Sequence, residues 1–508
     1  MKAILSGVAS SRSSFCLAVA LAILPASRAD DKARFEELRG RYEELARNND
    51  REPLHERTRI MEEMGELRLA GAESFFGDVL SKDTSLAVKV QAAEALGKIG
   101  TKAAVEILYR AALSSRESLV TDTIPVALAH VGAQEEPGSY LVSKYLYSNN
   151  PAIRAATAEG LGLMGYRPAG EPLEKLLRDR DFNARYEAIR ALGRVKRAEA
   201  LEDLLKELES RDARFRDAAC QALGELGDPK AQDGLVKALQ DPAWQVREAA
   251  VIALGRLGGI DAVPALADRL DKEELRIATE LETALQKITG KNFGRSSTRW
   301  LSWWKARAGG GGAAEDGDDE EKTVVNYYEA PLHTNRVIFI IDTSGSMEWG
   351  DRIGVARKEL AKTIGELRPS TFFNILSFSS SPIPWEKDLV PATDPNKAAA
   401  LQFVERLLPG GGTNAWDTLT DAMERNPTVD TIYFLSDGVP WGGRIEDPEK
   451  IVAEIRKIVK FSKVRIHTIA LLMGDAPPSE RKYDDKDAAA RFMKRLAMHN
   501  GGEFIEKR

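Results

Sequence analysis

Cysteine is almost absent from this chain, which has only Cys16 and Cys220. Cys16 lies in a segment expected to be removed, so the mature chain can form no internal disulfide and must fold by packing, aided at most by metal. Histidine is also scarce. His55, His130, His333, His467 and His499 are scattered without metal-ligand spacing, and His467, inside an apolar strand pattern, reads as a packed core residue rather than a general base. Excess positive charge is missing too: the net charge is −6, and it would be −9 without Lys2, Arg12 and Arg28. With no large basic patch, the chain lacks an electrostatic footprint for nucleic acid. Long apolar runs are missing except for Phe15 to Leu24, about half the ~20 residues of a membrane-spanning helix. That run follows Lys2 and Arg12 and precedes Pro25, Ala26, Ser27, Arg28 and Ala29. It reads as an export signal over residues 1–29, giving a product in the bacterial periplasm or cell envelope, or secreted, without a stable membrane span. The residues before Cys16 (Ser13, Ser14, Phe15) are not those of a lipoprotein signal.

At 43% apolar and 30% charged residues over 508 positions, the chain can bury more than one core. The segments ALGRVK, ALGELG and ALGRLG begin at Ala191, Ala222 and Ala253, a period of 31. Their first glycines, Gly193, Gly224 and Gly255, extend backward to Gly162, Ala129, Gly97 and Gly65 and forward to Gln286, giving about eight units. Each unit has two amphipathic stretches around a turn, with small residues on the second, so residues 30–307 are expected to form an all-α stack whose units cannot fold singly. The segment DPAWQVREAAVIALGRLG from Asp241 resembles the HEAT-like repeat of bilin lyases. The resemblance implies a scaffold rather than a lyase activity. It also implies that the recurring Arg57, Lys89, Arg154, Arg185, Arg216 and Arg247, with Asp83, Asp179 and Asp241, form a structural polar ladder. Cys220 stands at an apolar register position and reads as a buried filler. Trp300, Trp303 and Trp304 share one helix face and are expected to cap the stack, as Phe35, Leu38, Tyr42 and Leu45 would at its other end.

Residues 308–334 begin with Gly309 to Gly312 and continue into the acidic run Glu315 to Glu321. Such a stretch reads as a flexible, self-repelling linker that leaves the flanking domains independently mobile. From Asn335 to Arg508, apolar strands alternate with amphipathic helices, the pattern of a doubly wound α/β (Rossmann-like) sheet. Three segments at the carboxyl ends of its strands carry polar residues: Asp342 to Ser346, Gly410 to Asn414 and Ser436 to Gly438. They offer carboxylates and hydroxyls, with no Cys or His. This all-oxygen set suits Mg²⁺ or Mn²⁺, with Ca²⁺ possible, rather than zinc. Here the chain resembles von Willebrand factor A and integrin I-type domains: Asp342, Ser344 and Ser346 match their DxSxS motif, Thr413 their separate threonine and Asp437 their separate aspartate. The resemblance implies a metal-ion-dependent adhesion site in which the ion leaves a position open for a partner's carboxylate.

The function expected is therefore an exported, adhesion-type protein that binds a protein or acidic ligand through the metal, with the solenoid as a second interaction scaffold, and is not an enzyme. Trp349, Trp416 and Trp441 each lie within four residues of a metal-site element and are expected as partner contacts, with Trp349 and Trp441 at solvent-facing loop tips and Trp416 reading equally well as packing beneath its loop. Two other classes stay open. One is a metal-assisted hydrolase, although the chain has no G-x-S-x-G elbow or phosphate loop. The other is a solenoid-centred assembly scaffold with the metal domain as docking module.

Overall fold

The computed structural model describes residues 28–47, 53–115, 118–273, 275–308, 325–332, 334–481 and 484–508. The expected export signal up to residue 27 and the glycine-rich acidic run at 309–324 lie outside these residues.

The first half is an α-solenoid. The second helices of its eight units are α1 (Pro53–Glu66), α2 (Leu86–Ile99), α3 (Ser118–Val131), α4 (Pro151–Met164), α5 (Phe182–Arg194), α6 (Ala213–Leu226), α7 (Trp244–Leu257) and α8 (Leu275–Thr289), stacked in sequence order. Side chains of Asn150, Asp181 and Asp212 accept from N-terminal amides and set the helix starts. The register glycines explain the close stacking. A Cβ on Gly193 would lie 2.5 Å from the backbone of Ala222, and one on Gly224 2.7 Å from the Cα of Ala253, so each glycine seats the alanine of the next unit. The arginine ladder links units: Arg154 to Asp179 and Arg216 to Asp241 are bidentate at 2.6–2.8 Å, and Arg57 reaches Asp83 at 3.1 Å. Cys220 is fully buried. Phe35, Leu38 and Tyr42 are buried at one end of the stack; at the other, Trp300 and Trp303 pack on Phe293 in helix Ser297–Ala308.

The second half is an α/β domain. After the hairpin β1 (Asn326–Tyr327) and β2 (Ala330–Pro331), its sheet contains β3 (Arg336–Asp342), β4 (Phe372–Phe378), β5 (Pro382–Pro384), β6 (Val390–Pro391), β7 (Thr431–Ser436), β8 (Arg465–Leu471) and β9 (Phe504–Lys507). The order is β5-β4-β3-β7-β8-β9, with β6 also on β4; β4, β3, β7, β8 and β9 are mutually parallel. Helices α9 (Arg352–Glu366), α10 (Asp394–Glu405), α11 (Ala415–Arg425), α12 (Pro448–Ser462) and α13 (Lys486–His499) cover it. The chain winds from β3 to β4 on one side and returns to β7 on the other, so the crevice between β3 and β7 is the topological switch point. The hairpin lies within the stretch expected as linker. Tyr327 is nevertheless fully buried, edge-on to Phe339 and Tyr433, so this part of the expected linker is packed onto the sheet by its aromatic side chain.

The two halves are packed together, contrary to independent mobility. Seven consecutive solenoid helices, α2 to α8, each contribute one acid to a basic stripe on the α/β domain. Arg495 meets Glu94, Lys457 meets Asp122, Arg456 meets Glu159, Lys460 meets Glu187, Lys463 meets Asp217 and Glu248, and Arg465 meets Glu248 and Glu280. Phe461 adds apolar contact, edge-on to Phe182 and Tyr186, and Arg276 donates to the carbonyls of Asp430 and Lys463. Asp430, Lys463 and Arg465 stand at the amino ends of β7 and β8. The solenoid thus holds the sheet by the edge opposite the metal-site loops.

Candidate metal site

Five buried residues, Val337 to Ile341, drive β3 through the core and deliver Asp342 at its carboxyl end, beside the end of β7. Asp342 is fully buried. Its Oδ1 accepts from the Ser344 amide at 2.7 Å and its Oδ2 from the Ser436 hydroxyl at 2.5 Å. Thr343 donates its amide to the Phe378 carbonyl at 2.7 Å, which fixes the first loop to β4. Gly345 N to Gly411 O (3.2 Å) and Gly410 N to Thr343 O (2.7 Å) then join the first and second loops. Paired bonds between Thr413 and Trp441, at 2.8 and 3.0 Å, join the second to the third.

The expected ligands converge. The Ser344 and Ser346 hydroxyls are 3.1 Å apart, and Ser346 donates to Asp437 Oδ1 at 2.9 Å. Gly438 brings in the second loop: a Cβ there would lie 3.7 Å from Thr413 Oγ1 and 3.9 Å from Ser346 Oγ. Asp342, Ser344, Ser346, Thr413 and Asp437 therefore line one small polar centre. Burial, and then the charge of Asp437, pushes the Asp342 carboxyl up to about 7. Burial likewise raises Asp437, against the pull of Arg352. Two buried, mutually repelling carboxylates with three hydroxyls between them are a donor set that a hard dication would satisfy, so the residues present fit such an ion. Among the described residues, no three His, Cys, Asp or Glu side chains gather as a metal cluster.

Sequence reasoning overlooked Arg352. It opens α9, is fully buried, and donates to Asp437 Oδ2 at 2.7 Å. Its remaining donors reach the carbonyls of Met473 (2.8 Å) and Gly474 (3.3 Å) and the carboxylate of Asp484 (3.4 Å). An arginine beginning an amphipathic helix ten residues after Asp342 was the available signal, but an arginine at such a position is ordinarily solvated.

The three tryptophans differ. Trp441 is 60% exposed, with its ring edge against Gly412. Trp349, expected at a solvent-facing tip, is half-buried because the Arg352 guanidinium sits 5.3 Å from its ring centre. Trp416 is half-buried against the core on the sheet face formed by Ile338, Ile340, Phe378 and Phe434. His467 stacks on Tyr433 at 4.7 Å and accepts the Glu503 amide at Nδ1, in mid-strand away from the metal loops.

Comparison with known proteins places these features in families. Residues 335–480 match the von Willebrand factor type A domain, residues 139–206 and 201–286 match HEAT repeats, and residues 88–114 match the PBS lyase HEAT-like repeat. Inter-alpha-trypsin inhibitor heavy chain H4 of Homo sapiens is 32% identical over 177 residues, which are 33% of this chain and 17% of that protein. The chain thus spans under a fifth of that relative's length. A von Willebrand factor type A structure from Catenulispora acidiphila aligns at 19% identity, covering 35% of this chain and 40% of that one, with a TM-score of 0.28. The complex of CpcE and CpcF of phycocyanin lyase from Nostoc sp. PCC7120 aligns at 22% identity, covering 48% of this chain and 94% of that one, with a TM-score of 0.31. Along the chain, the order is thus a region matching HEAT-type repeats, within residues 88–286, followed by a region matching the von Willebrand factor type A domain, residues 335–480.

Proposed function

We propose that this chain is an exported, non-enzymatic binding protein that captures a protein partner through a divalent metal on its von Willebrand factor A-type domain. The observation carrying this reading is the pair of buried carboxylates, Asp342 and Asp437, facing each other among the hydroxyls of Ser344, Ser346 and Thr413. Mg²⁺ or Mn²⁺ held there would supply a Lewis-acidic position for a carboxylate oxygen of the partner. Trp441, exposed at the rim, offers the apolar contact beside it. Trp349, on the Arg352 guanidinium, and Trp416, on the core, are half-buried and are assigned to support of their loops rather than to the partner. A hydrolase is the weaker reading because His467 is engaged with Tyr433 and Glu503 far from the metal loops. The solenoid, whose acidic stripe is taken by the α/β domain, acts as a mount that leaves the metal face outward.

The test is partner capture by the full chain from envelope extract, in Mg²⁺, after chelation and after Mg²⁺ is restored. Capture should be lost on chelation, regained on restoration, and absent throughout in Asp342→Ala. Equal capture in all conditions contradicts the reading.

A further inference from the structure

Arg352 occupies a position that the proposed metal reading does not explain. Asp437 is bound on both oxygens, Oδ1 by Ser346 and Oδ2 by Arg352, so a cation already holds this carboxylate in the folded chain. The guanidinium is fully buried, and five donor–acceptor contacts fix it, to Ser346, Asp437, Met473, Gly474 and Asp484. Beyond Asp437, the nearest countercharge is Asp484 at 3.4 Å; it lies 3.9 Å from Lys486, whose closer partner, Asp475 at 2.8 Å, is exposed and screened by solvent. Two ligand carboxylates would neutralise a dication, and Arg352 then leaves the loaded centre with one net positive charge. Hydroxyl ligands cannot remove that charge, whereas an anionic ligand can.

Resting on the metal reading above, we propose that Arg352 is a positioning residue of this centre, standing in for the cation at Asp437 before metal binds. After metal binds, it supplies the surplus charge that selects an anionic partner group. It thus lowers the affinity for the ion itself. Trp349, whose ring lies on the same guanidinium, is a built-in optical reporter of the exchange.

The experiment titrates MnCl₂ alone into the full chain, by calorimetry and by tryptophan fluorescence, for wild type, Arg352→Gln, Arg352→Lys and Asp484→Asn. Removing the competing charge should tighten Mn²⁺ binding in Arg352→Gln by at least about fivefold, while Arg352→Lys stays within about twofold of wild type. Asp484→Asn, which leaves Arg352 less compensated, should weaken binding by about threefold. A merely structural arginine predicts weaker binding in both Arg352→Gln and Asp484→Asn, and unchanged or weaker binding in Arg352→Gln overturns the proposal. If Arg352→Gln does not fold, Arg352→Met takes its place as the charge-free variant: tighter Mn²⁺ binding is expected there, and unchanged or weaker binding overturns the proposal. Wild type that binds no Mn²⁺ removes the metal reading as well. Wild type that binds while Arg352→Gln fails to tighten removes this inference alone.

Discussion

Glu449 shows how one side chain can carry the pH response of the interface between the halves. Burial raises its carboxyl to about 7, with Arg495 opposing and Glu94 reinforcing the shift. A carboxyl raised in the fold is fully tolerated below its ordinary value near 4.5 and costs stability as pH climbs toward 7. Glu449→Gln should therefore melt higher than wild type at pH 8, by an amount equivalent to about 2 kcal/mol, and match it near pH 4.5. Thermal melts across that window check this. His499, lowered to about 4 by burial beside Arg495 and Arg456, acts in both proteins and cancels in the difference. At the rim, Trp441→Ala should leave Mg²⁺ affinity nearly unchanged yet weaken partner capture about tenfold, since its ring is mostly in solvent with one edge against Gly412. Asp342, Ser344, Ser346, Thr413 and Asp437 were legible because each stands in a polar turn directly after an apolar strand or in a glycine-rich loop. Arg352 was not, because a single arginine carries no periodic signal, and its burial depends on Met473 and Gly474, 121 and 122 residues away.

Among elements, the stacked second helices depend most on the absence of side chains at one register. Gly193→Val should destabilise the solenoid by roughly 2 kcal/mol or more, because its Cβ would meet Ala222 backbone at 2.5 Å. Circular dichroism melts of the full chain check this, and no change would mean that the stack relaxes freely. The 31-residue period and the strand–helix alternation were plain in sequence, since both are repeated locally. The arginine–aspartate ladder was visible for the same reason. The acidic stripe was not: Asp122, Asp217 and Glu248 fall seven residues before the register position, Glu187 and Glu280 six, and Glu94 and Glu159 three. They share one helix face without sharing one column. Its basic counterpart, Arg456, Lys457, Lys460, Lys463 and Arg465, reads in isolation as a solvated helix end. Hairpin β1–β2 was missed because Tyr327 and Tyr328 follow a charged run and precede Glu329, with no alternation to mark a strand.

For the whole molecule, the consequence is orientation. A strand such as β7 is six residues long, so the solenoid contacts near Asp430 and the metal loops near Asp437 are separated by roughly 20 Å of sheet. The ion pairs that fix this arrangement include the well-buried Glu187, Asp217 and Glu248, whose charges need their partners. The double reversal Lys460→Glu with Lys463→Glu should release the α/β domain and enlarge the radius of gyration in X-ray scattering while leaving helix content unchanged; an unaltered radius contradicts the clamp. Metal-dependent capture requires that the centre formed by Asp342, Ser344, Ser346, Thr413 and Asp437 take up a dication. Calorimetric titration of MgCl₂ and MnCl₂ into the metal-stripped full chain tests this most directly. It should show one site, lost in Asp342→Ala although that variant stays folded. Wild type without binding, or Asp342→Ala with wild-type affinity, would contradict it.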